Sequence, residues 1–247
     1  MSAPSRSPLE RGLAILELLA KWHGPVSLEM VTNELKVNKS TAFRLLDMLE
    51  KAHLVTRTGT GTGYLLGSEA LVLGEAFKRH FAISGLCDMS LVNLRDVTGE
   101  SAGAFVLQFP YRLCFAALQS TEPVRRILSV GERRPLHTGA VGKVMLAHLP
   151  PATLKDYLDS LGPRIQRHSR ELTRKELEDE IEAARRDGFA VSVEETGPDI
   201  WGVAVPIAAT SLIGVLVITG PMSRFPTSLE PAVEALQREA AAILARL

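Results

Sequence analysis

One stretch restricts the architecture more than any other: Ser27 to Tyr64, SLEMVTNELKVNKSTAFRLLDMLEKAHLVTRTGTGTGY. Ser27 follows Pro25 and precedes an apolar repeat, the setting of a helix N-cap. Leu28, Val31 and Leu35 recur at helical spacing and define one buried stripe. The link Val37-Asn38 is short, and Asn38 is placed to cap a second helix from about Lys39 to Ala52. Its inner face is Ala42, Leu45, Leu46 and Leu49. Its opposite face offers Lys39, Ser40, Thr41 and Arg44 in the first two turns. Leu54 to Arg57 then reads as a strand, Thr58 to Gly63 as a turn and Tyr64 to Leu66 as the return strand. Glycines at 59, 61 and 63 suit the tip. The pattern is that of a winged helix-turn-helix.

The second helix of such a unit meets DNA with its first turns. The hydroxyls of Ser40 and Thr41, with free N–H groups at a helix start, suit phosphate. Arg44 has the fork for a guanine edge, and Arg57 and the wing threonines suit the backbone or the minor groove. The alternative is a small helical domain with a solvated polar face. Residues 1–66 hold eight Lys/Arg against six Asp/Glu, an excess of only +2 in a chain of zero formal charge. Attraction to DNA must therefore come from clustering on one face.

Upstream, Ser7-Pro8-Leu9-Glu10 forms a capping box with proline at the first helical position, and Arg6 is available for phosphate. Leu9, Leu13, Leu16 and Ala20 mark the inner stripe of this helix, which Gly24-Pro25 stops. Downstream, residues 68–98 read as two helices, anchored by Leu71, Phe77 and Phe81 and then by Leu86, Met89, Leu94 and Val97. They are a linker that serves in dimerisation, or the helices that open the next domain. Ser101 to Leu107 and Leu113 to Gln119 form a hairpin about Phe109-Pro110-Tyr111-Arg112. Residues 121–137 are irregular and arginine-rich. Helices are expected over Thr138 to Leu149, Ala152 to Ser160 and, after the capping box Thr173-Arg174-Lys175-Glu176, to Arg186. Strands follow over Phe189 to Glu194, Val203 to Ile207 and Leu212 to Thr219. A third capping box, Thr227-Ser228-Leu229-Glu230, precedes a helix to Leu247. The chain thus divides into a DNA-reading domain (1–67), a helical linker (68–98) and a domain of antiparallel strands and helices (99–247), an α+β architecture.

Little in the last domain suggests catalysis. Glu194 and Glu195 are adjacent in a strand and point to opposite faces. His137 and His148 lack a third ligand at metal-like spacing. Cys114 sits in an apolar run, and Gly139 to Lys143 lacks the spacing of a phosphate loop. An enzyme, a metal or a cofactor is not expected, although a small-molecule enzyme using His137 or Cys114, with an appended helix-turn-helix, stays as the alternative. A sensor acting only through protein partners is a third reading. Arg125, Arg126, Arg133 and Arg134 are the anion handles, since arginine takes a carboxylate bidentately. Trp201 is placed either to line the mouth of such a pocket or to pack the domain. Two cysteines, Cys87 and Cys114, form no disulfide framework, which fits a reducing cytoplasm. Met1 to Pro8 lacks the apolar core of a signal peptide. No apolar run approaches the ~18 residues that span a bilayer, so no membrane partner is expected.

Several separated motifs, in order, resemble the IclR family of bacterial transcription regulators. They are Arg11-Gly12-Leu13-Ala14-Ile15-Leu16-Glu17-Leu18-Leu19, Asn38-Lys39-Ser40-Thr41-Ala42-Phe43-Arg44-Leu45-Leu46, Tyr64-Leu65-Leu66-Gly67, Arg134-Pro135-Leu136-His137 with Gly142-Lys143, Asp187-Gly188-Phe189-Ala190-Val191 with Glu194-Glu195, and Ile218-Thr219-Gly220-Pro221. The resemblance implies a GAF-like effector domain and dimers, often paired into tetramers, on a palindromic operator. It places the effector pocket at Pro123, Arg126, Arg134, Ala140, Val141, Ser192, Gly202, Val217 and Thr219. Ser192 stands where an aspartate is frequent in the family and Gly202 where a cysteine often sits. Arginine at 126 and 134 replaces the apolar side chains that small-acid sensors carry there. These departures point to a larger or more acidic carboxylate, aromatic acids included.

Overall fold

The structure is a computed structural model that describes residues 7–22, 24–59, 61, 63–80, 83–168, 170–208 and 212–247. Arg6, Thr60, Thr62 and Phe81 lie outside the described residues. The chain divides into two compact units, residues 1–80 and 81–247.

In the first unit, α1 (Pro8–Lys21), α2 (Leu28–Leu35) and α3 (Lys39–Lys51) are followed by the wing strands β1 (Val55–Arg57) and β2 (Tyr64–Leu66) and by α4 (Ser68–His80). The local signals set the helix ends. Ser7 and Glu10 form the capping box of α1, Ser27 accepts from the Met30 amide, and Asn38 accepts from the Thr41 amide. Lys36 ends α2 in a left-handed conformation, φ 52°, which turns the chain sharply into α3. Ile15, Val31, Ala42 and Leu46 are wholly buried between the helices. Each large aliphatic side chain so buried contributes about 1.5–3 kcal/mol. The first helix differs from expectation. Its core row is Ile15 and Leu19, while Leu9 and Leu13 are 72% and 52% exposed. The helix carries two apolar rows, and the core takes the other one.

The second unit opens with α5 (Ile83–Thr98), whose buried row is Ile83, Cys87, Leu91 and Leu94, leaving Met89 and Val97 outside. It continues through β3 (Ser101–Gln108), β4 (Tyr111–Leu118), β5 (Arg133–Pro135), α6 (Gly139–Ala147), α7 (Pro151–Ser160), β6 (Arg164–Gln166), β7 (Glu171–Thr173), α8 (Arg174–Asp187), β8 (Ala190–Val193), β9 (Ile200–Ala208), β10 (Leu212–Pro221) and α9 (Glu230–Leu244). Six strands make one antiparallel sheet in the order β5-β4-β3-β10-β9-β8, and β6 pairs with β7 apart from it. One face packs on α5 and α9 through Leu216, Ile218, Val203 and Val205. The other packs on α6, α7 and α8 through Phe105, Val215 and Val217.

The short strands β5, β6 and β7 are additions to the sequence reading. The capping box at Thr227 does not form: Leu229 occupies the N-cap position without a side-chain bond, and the Glu230 amide donates instead to the Ser228 hydroxyl at 3.3 Å.

Helix α6 lies hard against the chain that precedes it. A Cβ on Gly142 would stand 2.0 Å from the Leu136 carbonyl oxygen and 2.9 Å from the Arg112 guanidinium. Gly142→Ala is therefore expected to lower the unfolding free energy by about 1–3 kcal/mol, as overpacking does. A urea melt that leaves the midpoint unchanged would show that this close approach is dispensable.

Candidate nucleic-acid interface and ligand cavity

On α3, Lys39, Ser40 and Arg44 are exposed and Thr41 is half-buried, all outside the buried row of Ala42, Leu45 and Leu46. Asn38 organises the start of this face. Its Oδ1 accepts from the Thr41 amide at 2.8 Å and from the Ser40 hydroxyl at 2.9 Å. Arg57 reaches back from the wing: Nε donates to Glu50 at 3.0 Å, and the guanidinium lies 5.4 Å from the Phe43 ring and 5.6 Å from the Tyr64 ring. Arg57 thus braces the wing against α3 as well as offering charge at the surface. Gly61, at φ 70°, turns the wing tip in a conformation that favours glycine.

In the second unit, a cavity of about 50 Å³ lies between the sheet, the irregular segment after β4 and the first turn of α6. Of the nine effector positions expected from the sequence, seven line it: Arg126, Arg134, Ala140, Val141, Ser192, Val217 and Thr219. Two do not. Pro123 is exposed on the outer side of its segment. Gly202 lies beneath the floor, where a Cβ would come within 3.2 Å of the Ser192 hydroxyl. Trp201 is buried on the opposite face of the sheet, edge-on to Phe225 at 5.8 Å, and has the packing role.

The residue that sequence reasoning missed is Arg112. The turn of the hairpin is shorter than expected, so Arg112 falls inside β4, cross-strand from Arg134. It is almost wholly buried and faces the cavity. Its Nη1 donates to the carbonyls of Pro135, at 2.7 Å, and of Thr138. Burial, then repulsion from Arg134, pushes its guanidinium down to about 10, so it stays charged at neutral pH. Arg134 donates to Glu132 at 2.7 Å and to the Thr196 carbonyl at 3.0 Å. Arg126 is half-buried, its guanidinium pushed down by burial and by Arg134, and its side chain has no hydrogen-bonding partner among the described residues. The segment that carries it is pinned. Ser101 donates to the Arg126 carbonyl at 2.6 Å, and the Gln119 amide pairs with the Leu128 backbone at 2.6 and 3.2 Å.

Helix α6 supplies a second source of positive potential. Thr138 makes no capping bond, and its hydroxyl donates to Pro135 instead. The Gly139 amide donates to Glu195 at 2.9 Å, while the amides of Ala140 and Val141 have no acceptor among the described residues. Free amides at a helix start attract anions. Beneath them, Glu195 is buried and accepts from Lys143 at 2.6 Å, and Arg167 approaches it at 3.1 Å and Glu180 at 2.7 Å. Lys143 is thus engaged inside the fold and not available to a phosphate. At the far wall, Ser192 and Thr219 donate their hydroxyl protons to carbonyls of β9, leaving their oxygens as acceptors.

The buried Cys114 thiol is pushed up to about 12 by desolvation and by Glu132, so it carries almost no thiolate at neutral pH. His137 is tied to the Tyr157 hydroxyl at 3.0 Å.

The family profile described as Bacterial transcriptional regulator IclR C-terminal matches residues 81–246, and that of the IclR helix-turn-helix domain matches residues 8–59. The chain belongs to the IclR family. As an IclR regulator, it is 28% identical over 218 residues to the HTH-type transcriptional repressor AllR of Klebsiella pneumoniae, covering 87% of this chain and 80% of that protein. It is 28% identical over 243 residues to the glycerol operon regulatory protein of Streptomyces griseus, covering 96% and 94%. The fold matches an IclR homologue from Microbacterium hydrocarbonoxydans, crystallised with 4-hydroxybenzoate, at a TM-score of 0.86 and 22% identity over 98% and 100% of the two chains. No helix among the described residues is long and apolar enough to cross a membrane.

The burial of His137 beside two arginines gives the IclR fold here an acid sensitivity. The His137 amide donates to the Tyr157 hydroxyl at 3.1 Å, and Nδ1 stands 3.0 Å from the same oxygen. Burial and the charges of Arg167 and Arg112 hold the imidazole below its ordinary value of 6.5. The unfolded chain therefore binds this proton more readily, and stability falls as pH drops below about 6.5. His137→Gln is expected to flatten the slope of stability against pH in that range, measured by urea melts. An unchanged slope would assign the acid sensitivity elsewhere.

Proposed function

We propose that this IclR-family regulator binds a palindromic operator as a dimer and is controlled by a small carboxylic acid, aromatic acids included, held in the second unit. The observation that carries the effector reading is the cavity's polarity: three guanidiniums and the open amides of α6 converge there, against one carboxylate. Arg126, Arg134, Ala140, Val141, Ser192, Val217 and Thr219 serve as effector contacts, with Arg112 added. The 4-hydroxybenzoate held by the related fold supports an acid of this class.

On the DNA side, Lys39, Ser40, Thr41 and Arg44 read the operator from α3, supported by Arg57 in the wing. Residues 68–98 act as linker and as the element that responds to ligand. A second copy of the chain is supported by apolar side chains left outside on α1 and α4: Leu9, Leu13, Leu71, Leu73 and Phe77. Such exposure marks an association surface. A dimer of this kind places its recognition helices on half-sites ~34 Å apart or a multiple of that. A protein that reads bacterial DNA works in the cytoplasm.

Arg44→Ala is expected to abolish specific retardation of upstream DNA while leaving thermal unfolding unchanged, since its side chain is exposed. Unchanged affinity in a gel-shift titration at physiological salt would refute the assignment of α3 as the reading helix. In thermal-shift screens, carboxylic acids should raise the melting temperature and neutral metabolites should not.

A further inference from the structure

The ligand cavity holds more positive charge than one carboxylate can answer. The guanidiniums of Arg112, Arg126 and Arg134 line it, with the carboxylate of Glu132. Glu132 is engaged by Arg134, whose Nη2 and Nε both stand 2.7 Å from Oε1. Three arginines less one glutamate leave an excess of two positive charges. The charges beneath α6 do not cancel it, because Lys143 and Arg167 close on Glu195 and Glu180. Arg112 is buried and Arg126 half-buried, so water screens neither as it would a surface side chain.

The excess sits at two poles. At one, Arg112 lies under the first turn of α6, its Nη2 3.3 Å from where a Cβ on Gly139 would be, beside the open amides of Ala140 and Val141. At the other, Arg126 projects from the segment that crosses the sheet, its side chain without a hydrogen-bonding partner among the described residues. Arg134 neighbours both: it is the cross-strand partner of Arg112 and a charge that repels Arg126. Phe105, Leu128 and Val217 give the cavity an apolar wall, and Ser192, Thr196 and Thr219 line it as well. Ser192 and Thr219 already donate to β9 carbonyls, so their hydroxyl protons are not offered to an anion.

We infer that the ligand is a small organic dianion, with two carboxylates on one short scaffold. One carboxylate meets Arg112 and the start of α6, and the other meets Arg126. The inference rests on the assignment of this cavity as the effector site. A monocarboxylate leaves one pole unanswered, and a single phosphate, with both charges on one centre, reaches one pole only.

Titration calorimetry on the full chain tests this with short aliphatic and benzene dicarboxylic acids, each beside its own monoamide. The monoamide keeps the size and drops one charge. At least one dicarboxylate should bind, with its monoamide weaker by about tenfold or more, the worth of one hydrogen-bonded charge. Arg126→Gln should lower dicarboxylate affinity to that of the monoamide, and its thermal unfolding without ligand reports whether the fold survives. Monoamides, monocarboxylic acids or inorganic phosphate binding as tightly as the dicarboxylates would overturn the dianion and leave the effector site standing. A preference that persists in a folded Arg126→Gln would overturn the second pole. Failure of every acid to bind would overturn both this inference and the effector assignment beneath it.

Discussion

The ligand-binding half of this protein depends on one buried carboxylate. Glu195 accepts from the Gly139 amide, from Lys143 and, by charge contact, from Arg167. Those bonds tie the loop after β8 to the start of α6 and to the chain leading into β7. Arg167 in turn donates to the His137 carbonyl at 2.7 Å, just before α6. A buried ion pair of this kind adds little net stability, but losing one partner strands the other at a cost of about 3–5 kcal/mol. Its value here is geometric. It fixes where α6 begins, and α6 forms one wall of the cavity.

Against that balanced cluster, the cavity itself is unbalanced. Arg112 is anchored by carbonyls, which orient it without neutralising it. Arg126 has no hydrogen-bonding partner for its side chain among the described residues. Fixed positive charge thus sits at a helix start, beside Phe105, Leu128 and Val217. The same economy of anchoring appears in the DNA-reading unit. Asn38 holds Ser40 and the first turn of α3, and Glu50 with two aromatic rings holds Arg57.

The sequence disclosed what short-range chemistry determines. Ser7, Ser27, Asn38 and Thr173 cap helices where expected, because a cap is a contact between residues three apart. Choices that belong to tertiary packing were hidden. Helix α1 has two apolar rows of similar quality, and nothing local tells which row the core takes. Arg112 was concealed by a hairpin turn that is shorter than it looks, since a shift in phase changes which side chains face inward. The strands β5, β6 and β7 have three residues each, too few to show a period. Seven cavity residues were legible because family motifs carry position, which composition does not. Pro123 lies off the cavity, and an irregular segment has no periodicity to say which side faces in.

Ligand binding in one unit controls DNA binding by the other. Control requires a ligand to favour one arrangement of the protein, and the coupling must be reciprocal. The direct measurement is operator affinity, by fluorescence anisotropy, with and without a saturating acid that binds the cavity. Operator affinity should change roughly 5- to 150-fold, the usual range of such coupling, and acid affinity should change equally when operator is present. An acid that binds the cavity while leaving operator affinity unchanged would contradict it.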